Sequence, residues 1–403
     1  MTILISAWGS TGEHVPAAGL CALLKSAGVK VHVLASAAHR DLYPVHDAQF
    51  HRLPSIDLSM GLPPRLHITG EIVRHWIDPL AEQQFQMAQC LIRRHGITSV
   101  LSSWITPGVI AAAQAEGAPV VPLHLYPLSV MAEDDPPLFT RWPRLTARRR
   151  AAAEAAALRQ AVLRYFRSLA PRLMRLRSSL GLADDGGLLP GVAGTGLALF
   201  PRILMRAATA HHFVTLPGPG IETLPPAVAG FLESGPPPVL VFLGSLTRFH
   251  RAAMEIAVAE VTGLGKRCLA VWGDMRPVRE ITPGCLEFGR FPVTSLLPHA
   301  DAAVHHGGIN TVAAILRAGT PSLVLPLLGD QLDNASRLAD LGAATMLHPR
   351  HMTRARVRSA LGLALRPAMA ERAQAIASRS PPPIGTESIS RLASALARGK
   401  ASL

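Results

Sequence analysis

Residues 298 to 342, PHADAAVHHGGINTVAAILRAGTPSLVLPLLGDQLDNASRLADLG, constrain the fold more than any other part of the chain. An apolar run ending in Ala303-Val304 reads as a buried strand, and His305-His306-Gly307-Gly308-Ile309-Asn310-Thr311 turns directly into a helical pattern. Glycines let the backbone approach a ligand closely. The first turn of a helix presents unpaired N–H groups and the positive end of its dipole to an anion. His306, Asn310 and Thr311 add side-chain donors at the same mouth, so the stretch is suited to phosphate. A second strand is predicted over Ser322 to Leu327, with Gly329-Asp330-Gln331 after it. In a parallel sheet both loops open at the carboxyl edge, where ligands bind. A phosphate and the hydroxyl groups it carries would then lie side by side.

A chain of 403 residues exceeds what one core usually serves, so two domains of about 200 residues each are expected. With 49% hydrophobic residues, disorder is excluded. Cys21, Cys90, Cys268 and Cys285 show no close pairing or metal-ligand spacing, which fits buried thiols in a reducing, cytoplasmic compartment. Met1 to Ala7 lacks the basic leader and apolar length of a signal peptide, and no apolar run is long enough to span a bilayer. The net charge of +13 follows from arginine-rich composition or reflects anionic partners: nucleotide diphosphates, acidic acceptors or anionic lipid. No zinc knuckle or RNA-binding strand motif accompanies it, so nucleic acid is not expected.

The chain opens with a strand at Thr2 to Ala7, a tight loop at Gly9-Ser10-Thr11-Gly12, a helix over Val15 to Ala27 and a strand at Val29 to Leu34, a right-handed βαβ unit with a ligand mouth at its loop. Gly70 to Arg94 reads as a long helix interrupted near Pro79. Strands follow at Ile97 to Leu101 and Pro119 to Leu123, with Ser103-Trp104 in the loop between them. Arg141 to Arg177 holds eleven arginines and one acid, Glu154, among spaced aliphatic residues. That pattern suits amphipathic helices broken near Pro171, either as a solvated face or as a surface for anionic lipid. Leu197 to Leu204 resumes strand character, residues 217 to 226 read as a Pro/Gly linker, and Val239 to Leu243 starts a second domain.

The order H-x-G-x-N-T, then G-T-P, then P-x-x-x-D-Q-x-x-N-A resembles the donor-binding signature of the family-1 glycosyltransferases, nucleotide-sugar enzymes of GT-B fold. Within that family, the LLP, V-H-x-G-G-I and D-Q-x-D-N-A-x-R-L elements are most similar to the rhamnosyltransferases of rhamnolipid synthesis. The resemblance implies two Rossmann-like domains facing across a cleft: an acceptor domain over 1–216, completed by a returning helix at 385–403, and a donor domain over 227–384. It implies diphosphate contacts from Ser245, His306, Gly308, Asn310 and Thr311, sugar contacts from Asp330 and Gln331, and a nucleobase place at Arg290 and Phe291. On the acceptor side it marks Ser103 and Trp104. Where plant members carry a glutamate for ribose, this chain has Ala314.

The full G-S-T-G-E-H-V-P resembles the family's amino-terminal loop, where the base follows the last glycine. Glu13 is the match by spacing, with His14 beside it. A carboxylate accepts a proton without a partner to fix its tautomer, whereas imidazole normally needs one. Where histidine-type members keep an orienting aspartate, this chain has Ser103. There is no D-x-D sequence, so neither a metal nor another cofactor is expected for transfer. The expected activity is an inverting transfer from a UDP- or dTDP-sugar to an apolar hydroxyl acceptor, a hydroxyalkanoyl lipid by the nearest resemblance. Peripheral contact with the inner face of an anionic membrane would accompany it. A polyketide, terpenoid or carotenoid aglycone is the alternative acceptor. A GT-B epimerase and a non-catalytic nucleotide-sugar-binding partner are the readings from other classes.

Overall fold

The computed structural model describes residues 2–55, 68–130, 135, 152–182, 195–206, 211–218, 222–244, 247, 250–327, 329–348, 351–398 and 400. Ser245, the linker residues 219–221 and the arginine-rich 141–151 lie outside them. The chain forms two compact units, Met1–Pro217 with Pro382–Leu403, and Gly218–Pro381.

The first unit runs β1 (Thr2–Ala7), α1 (Thr11–Ser26), β2 (Lys30–Ser36), β3 (Phe50–Leu53), α2 (Ile68–Ile72), α3 (Asp78–His95), β4 (Ser99–Ser102), α4 (Pro107–Ala115), β5 (Val120–His124), α5 (Ala152–Leu169), α6 (Pro171–Ser179), β6 (Leu197–Ala198) and β7 (His212–Phe213). Its strands lie in the order β3-β2-β1-β4-β5-β6-β7, and every pairing is parallel. Ile3, Leu4, Ile5, Val31, Val33 and Leu34 have no exposed surface. That is the continuous burial of a sheet covered on both faces, and it explains why these strands read as apolar runs rather than alternations. The order reverses between β1 and β4, so the β1–α1 and β4–α4 loops flank a topological switch point at the carboxyl edge.

The expected interruption near Pro79 takes a different form. Val73–Ile77 makes a π turn whose flanking residues Ile72 and Asp78 keep helical angles, so α2 and α3 form one run. Pro79 is the second residue of α3, directly after this π turn. The break at Pro171 separates α5 from α6, and the Asp78 carboxylate accepts the Leu173 N–H in the first turn of α6 at 2.9 Å. Leu163, Phe166, Leu169 and Leu173 are buried, whereas Arg164, Arg172 and Arg175 are exposed. Arg177 departs from an all-solvent arginine face: it is buried and donates to Gln114 Oε1 at 2.7 Å. Strand character after Leu197 is shorter than expected, because Arg202–Leu204 is a 3₁₀ turn.

The second unit runs α7 (Pro226–Glu233), β8 (Val239–Phe242), α8 (Arg251–Gly263), β9 (Cys268–Val271), β10 (Arg279–Thr282), β11 (Cys285–Phe288), β12 (Ala302–His305), α9 (Ile309–Ala318), β13 (Ser322–Val324), α10 (Gln331–Asp340), β14 (Ala344–Met346), α11 (Arg354–Ala364) and α12 (Pro367–Ala377). The strand order is β10-β11-β9-β8-β12-β13-β14, parallel except for the β10–β11 hairpin. Val241, Met254, Ala257, Val304, Leu323, Val357 and Leu361 are fully enclosed in one core between β8, β12, β13, α8 and α11. Glu260 ties α8 to α11 through Arg354 and Arg358, at 2.6 and 2.8 Å. A last helix, α13 (Thr386–Ala397), belongs to the first unit and packs on α1, and the Ile384 N–H donates to Thr215 O at 3.0 Å.

Candidate active site

In the second unit, β12 and β8 are paired so that His305 faces Phe242, which brings the loops after both strands together at the carboxyl edge. Gly244, in the loop after β8, has φ +75°, and Gly307, after β12, has φ +85°. The His306 ring lies between glycines. A Cβ on Gly244 would stand 2.5 Å from His306 Cε1, and one on Gly308 would stand 2.5 Å from His306 Nε2. Any side chain at either position would push the imidazole out of its slot.

Burial, then the neighbouring His250, pushes His306 down to about 4, so the ring is neutral near pH 7. Its Nδ1 is buried without a hydrogen-bond partner. A neutral imidazole donates through one nitrogen only, and a bound anion would favour protonation of the other. Gly308 is the N-cap of α9, and as a glycine it offers no side chain of its own to cap the helix. Ile309, Asn310 and Thr311 form the first turn of α9, whose N–H groups point out of the helix start, and the Asn310 and Thr311 side chains are half-buried there. His305 has a structural place: its Nδ1 accepts the Gly307 N–H at 3.1 Å, and burial drives it down to about 3.

The β13–α10 loop is held to this mouth by Asn334, whose Nδ2 donates to Gly307 O at 3.0 Å and to Asp330 Oδ2 at 2.6 Å. Asp330 stands at the N-cap of α10, but its side chain does not cap that helix. Gln331 is buried, and its Oε1 accepts the Leu327 N–H at 2.8 Å, closing the turn. Beneath them Asp333 and Arg337 form a buried pair at 2.9 Å. Ala314 is buried on α9.

Arg290 is exposed after β11, and its N–H donates to Asp274 O at 2.8 Å. Phe291 packs edge-on to Phe288, with ring centres 6.2 Å apart. The larger aromatic plane in this neighbourhood is Trp272, directly after β9, with the Arg276 guanidinium 4.1 Å from its ring centre. Asp274 and Glu287 hold Arg276 there, at 2.8 and 2.9 Å. The sequence reading missed Trp272, His250 and the bridging role of Asn334. A tryptophan ending a strand one pairing from β8 was the available signal for the first.

In the first unit, Ser10 and Glu13 close the start of α1. Glu13 Oε2 accepts the Ser10 N–H at 2.9 Å and the Ser10 hydroxyl at 2.6 Å, while Ser10 Oγ accepts the Gly12 N–H at 3.1 Å. This is a capping box, and it starts the helix at Thr11, four residues before the expected Val15. Burial raises the Glu13 carboxyl above its usual range, against the lowering effect of the Ser10 bonds. His14 has no exposed surface. Its Nδ1 meets Tyr43 Oη at 3.0 Å, its ring stacks on His39 with centres 4.0 Å apart, and burial pushes it down to about 3.

Ser103 does not orient His14: its buried Oγ has no hydrogen-bond partner. Trp104 is a core side chain, donating from Nε1 to Tyr126 Oη at 2.7 Å and tilted against Phe166. The hydroxyls of Ser6, Ser102 and Thr106 form a connected buried cluster behind them, at 2.7 to 2.9 Å.

The chain is similar over 99% of its length, and 98% of the other's, to the solved glycotransferase of kitacinnamycin, with a TM-score of 0.71 at 20% identity. This is the GT-B fold. Residues 271–393, which include His306 and Asp330, match the family described as erythromycin biosynthesis protein CIII-like, C-terminal domain. The chain is 36% identical over 157 residues to the O-mycaminosyltylonolide 6-deoxyallosyltransferase of Streptomyces fradiae, a match covering 38% of this chain and 36% of that one. It is 32% identical over 161 residues to the vancomycin aglycone glucosyltransferase of Amycolatopsis orientalis, covering 40% of this chain and 39% of the other. The chain thus spans well under half the length of these relatives. Among the described residues no helix is long and apolar enough to cross a membrane.

Proposed function

We propose that the protein transfers a sugar from a UDP- or dTDP-sugar to a hydroxyl of a natural-product aglycone of polyketide, terpenoid or carotenoid type. The observation that carries the reading is the His306 slot: an imidazole gripped between Gly244 and Gly308, at the start of α9. This arrangement suits a diphosphate leaving group. As the anomeric C–O bond breaks, negative charge grows on the β-phosphate, where the α9 N–H groups and a His306 N–H would stabilise it. Asn310, Thr311 and Ser245 add donors in this reading. Asp330 and Gln331, fixed to the same mouth through Asn334 and Leu327, take the sugar hydroxyls. Arg290 and Phe291, with Trp272 nearby, take the base. The leaving charge is met by protein dipoles, so the reaction is proposed to run without a metal.

Glu13 is proposed as the general base. Both Ser10 contacts fall on its Oε2, which leaves Oε1 for the acceptor proton, and its raised pKa brings it toward the range where a base works best at neutral pH. His14, enclosed by Tyr43 and His39, would support that loop rather than touch substrate. Loss of the proton to Glu13 as the hydroxyl attacks opposite the diphosphate inverts the anomeric centre.

For the acceptor, one matched relative is an aglycone glucosyltransferase and another acts on O-mycaminosyltylonolide, which favours the aglycone over the lipid expected from the sequence. The test is a thermal-shift panel of UDP- and dTDP-sugars, followed by mass spectrometry of transfer onto mixed aglycones and hydroxyalkanoyl acids. A sugar adduct on an aglycone is expected. An adduct only on the hydroxyalkanoyl acids would overturn the acceptor assignment, and an epimerised donor in a donor-only incubation would overturn the transferase reading.

A further inference from the structure

A second cluster of imidazoles lies in the first unit, on β2, β3 and the end of α3. Leu34 on β2 pairs with His51 on β3, and His32 lies two residues before Leu34. Alternate residues of a strand share a face, so His32 and His51 project on the same side of the sheet. His95, the last residue of α3, closes over them. His32 Nδ1 and His51 Nε2 are 3.0 Å apart. The His95 ring centre lies 4.3 Å from that of His32 and 5.9 Å from that of His51. Among the described residues this is the one group of three such side chains with a nitrogen each within 4.8 Å of one another.

That spacing suits a cation. Nitrogens bound to a tetrahedral zinc at about 2.0–2.1 Å stand roughly 3.3 Å from each other. The 3.0 Å contact between His32 and His51 and the 4.8 Å limit for the three nitrogens bracket this separation. The cluster is otherwise costly. His32 is 2% exposed, and its Nε2 is buried with no hydrogen-bond partner. An orphaned nitrogen of this kind is something a buried polar group normally avoids. Lys30 and Arg94 are the charged groups acting on the cluster, and no carboxylate does.

We propose that His32, His51 and His95 bind one borderline-soft divalent cation of the zinc class, with water in the remaining position. The ion would clip β2, β3 and α3 together. An all-imidazole set selects Zn²⁺, Ni²⁺ or Cu²⁺ over the oxygen-seeking Mg²⁺ and Ca²⁺. The proposed role is structural, and it uses none of the residues proposed for sugar transfer.

The full chain, dialysed against a chelator, is titrated with Zn²⁺ by calorimetry and thermal melting, and with Co²⁺ by visible absorption. One equivalent of Zn²⁺ is expected to bind and raise Tm, and Co²⁺ to give the visible bands of a low-coordinate nitrogen site. His51→Asn and His95→Ala, at half-buried positions, should each weaken Zn²⁺ binding by at least about tenfold while leaving the metal-free Tm near wild type. If either variant fails to fold, X-ray absorption of the wild-type zinc complex decides, with three imidazoles expected. Absence of a stoichiometric site overturns the proposal. So does unchanged affinity in the double variant, which would place the binding elsewhere among the 17 histidines.

Discussion

Gly308→Ala isolates the His306 slot from every other feature of the donor mouth. The backbone at Gly308 has φ −60° and ψ 140°, which alanine adopts without strain. The only obstacle is the new Cβ, 2.5 Å from His306 Nε2, where non-bonded carbon and nitrogen prefer about 3.5 Å. The imidazole must therefore shift by about 1 Å. On the proposed role of His306, a displacement of that size would remove a donor to the developing negative charge, a loss of about 10²–10³ in kcat. Alanine also restricts the unfolded chain, worth about 0.4–1 kcal/mol toward the fold, so the melting temperature should change by only a few degrees. Gly244→Ala meets the same ring at 2.5 Å but from φ +75°, so it should lose both rate and stability, the latter by about 1–2 kcal/mol. The assay is initial rate at saturating donor and acceptor, with a melt on the same sample. In a His306→Ala background, Gly308→Ala should cost little more, because both act through one ring. A Gly308→Ala enzyme within about twofold of wild type would refute the slot argument. So would losses that add in the double variant.

Glu13→Gln keeps the Ser10 contacts in outline and removes the base; kcat is expected to fall by about 10²–10⁴ with donor affinity unchanged, measured by rate and by donor titration. Because the Glu13 carboxyl is raised, the acid limb of kcat/KM should lie above the ordinary carboxylate range; a limb at an unperturbed glutamate position would count against it. His14, His124 and His305 are all pushed from 6.5 to about 3 by burial. The unfolded chain therefore takes up protons that the fold refuses. Stability is full above pH 6.5 and falls on acidification through the window down to about 3, by up to about 1.4 kcal/mol per pH unit per histidine, checked by urea unfolding across that range. Arg337→Met should destabilise by removing the ion-pair partner of the buried Asp333, and adding Asp333→Leu should recover part of the loss in the same unfolding assay.

The strand–glycine–helix order around Gly307 and Gly308 was legible because it is local: burial runs, glycine and helix periodicity lie within a dozen residues. The same holds for β1, the Gly9 loop and α1, although the Ser10–Glu13 capping box moves the helix start forward into the loop. What escaped the sequence depends on partners far apart in the chain. His14 reads as a candidate beside Glu13, but Tyr43 and His39, brought over by the β2–β3 connection, enclose it. Trp272 joins the Arg290 neighbourhood only once β9 pairs with β11. Short edge elements such as β3, β7 and the β10–β11 hairpin carry too few residues for a periodic signal. The cluster of His32, His51 and His95 has no motif spacing at all, since sheet register and a helix end assemble it.

The claim at the centre of the account is that the start of α9, with His306, receives the diphosphate of a nucleotide sugar. Calorimetric titration of UDP and dTDP into wild type and His306→Ala tests it most directly. One of the two nucleotides should bind wild type at a single site, and His306→Ala should weaken it by about 10- to 100-fold, the worth of a hydrogen bond to a charged group. Equal binding to both proteins, or no binding of either nucleotide to wild type, would contradict it.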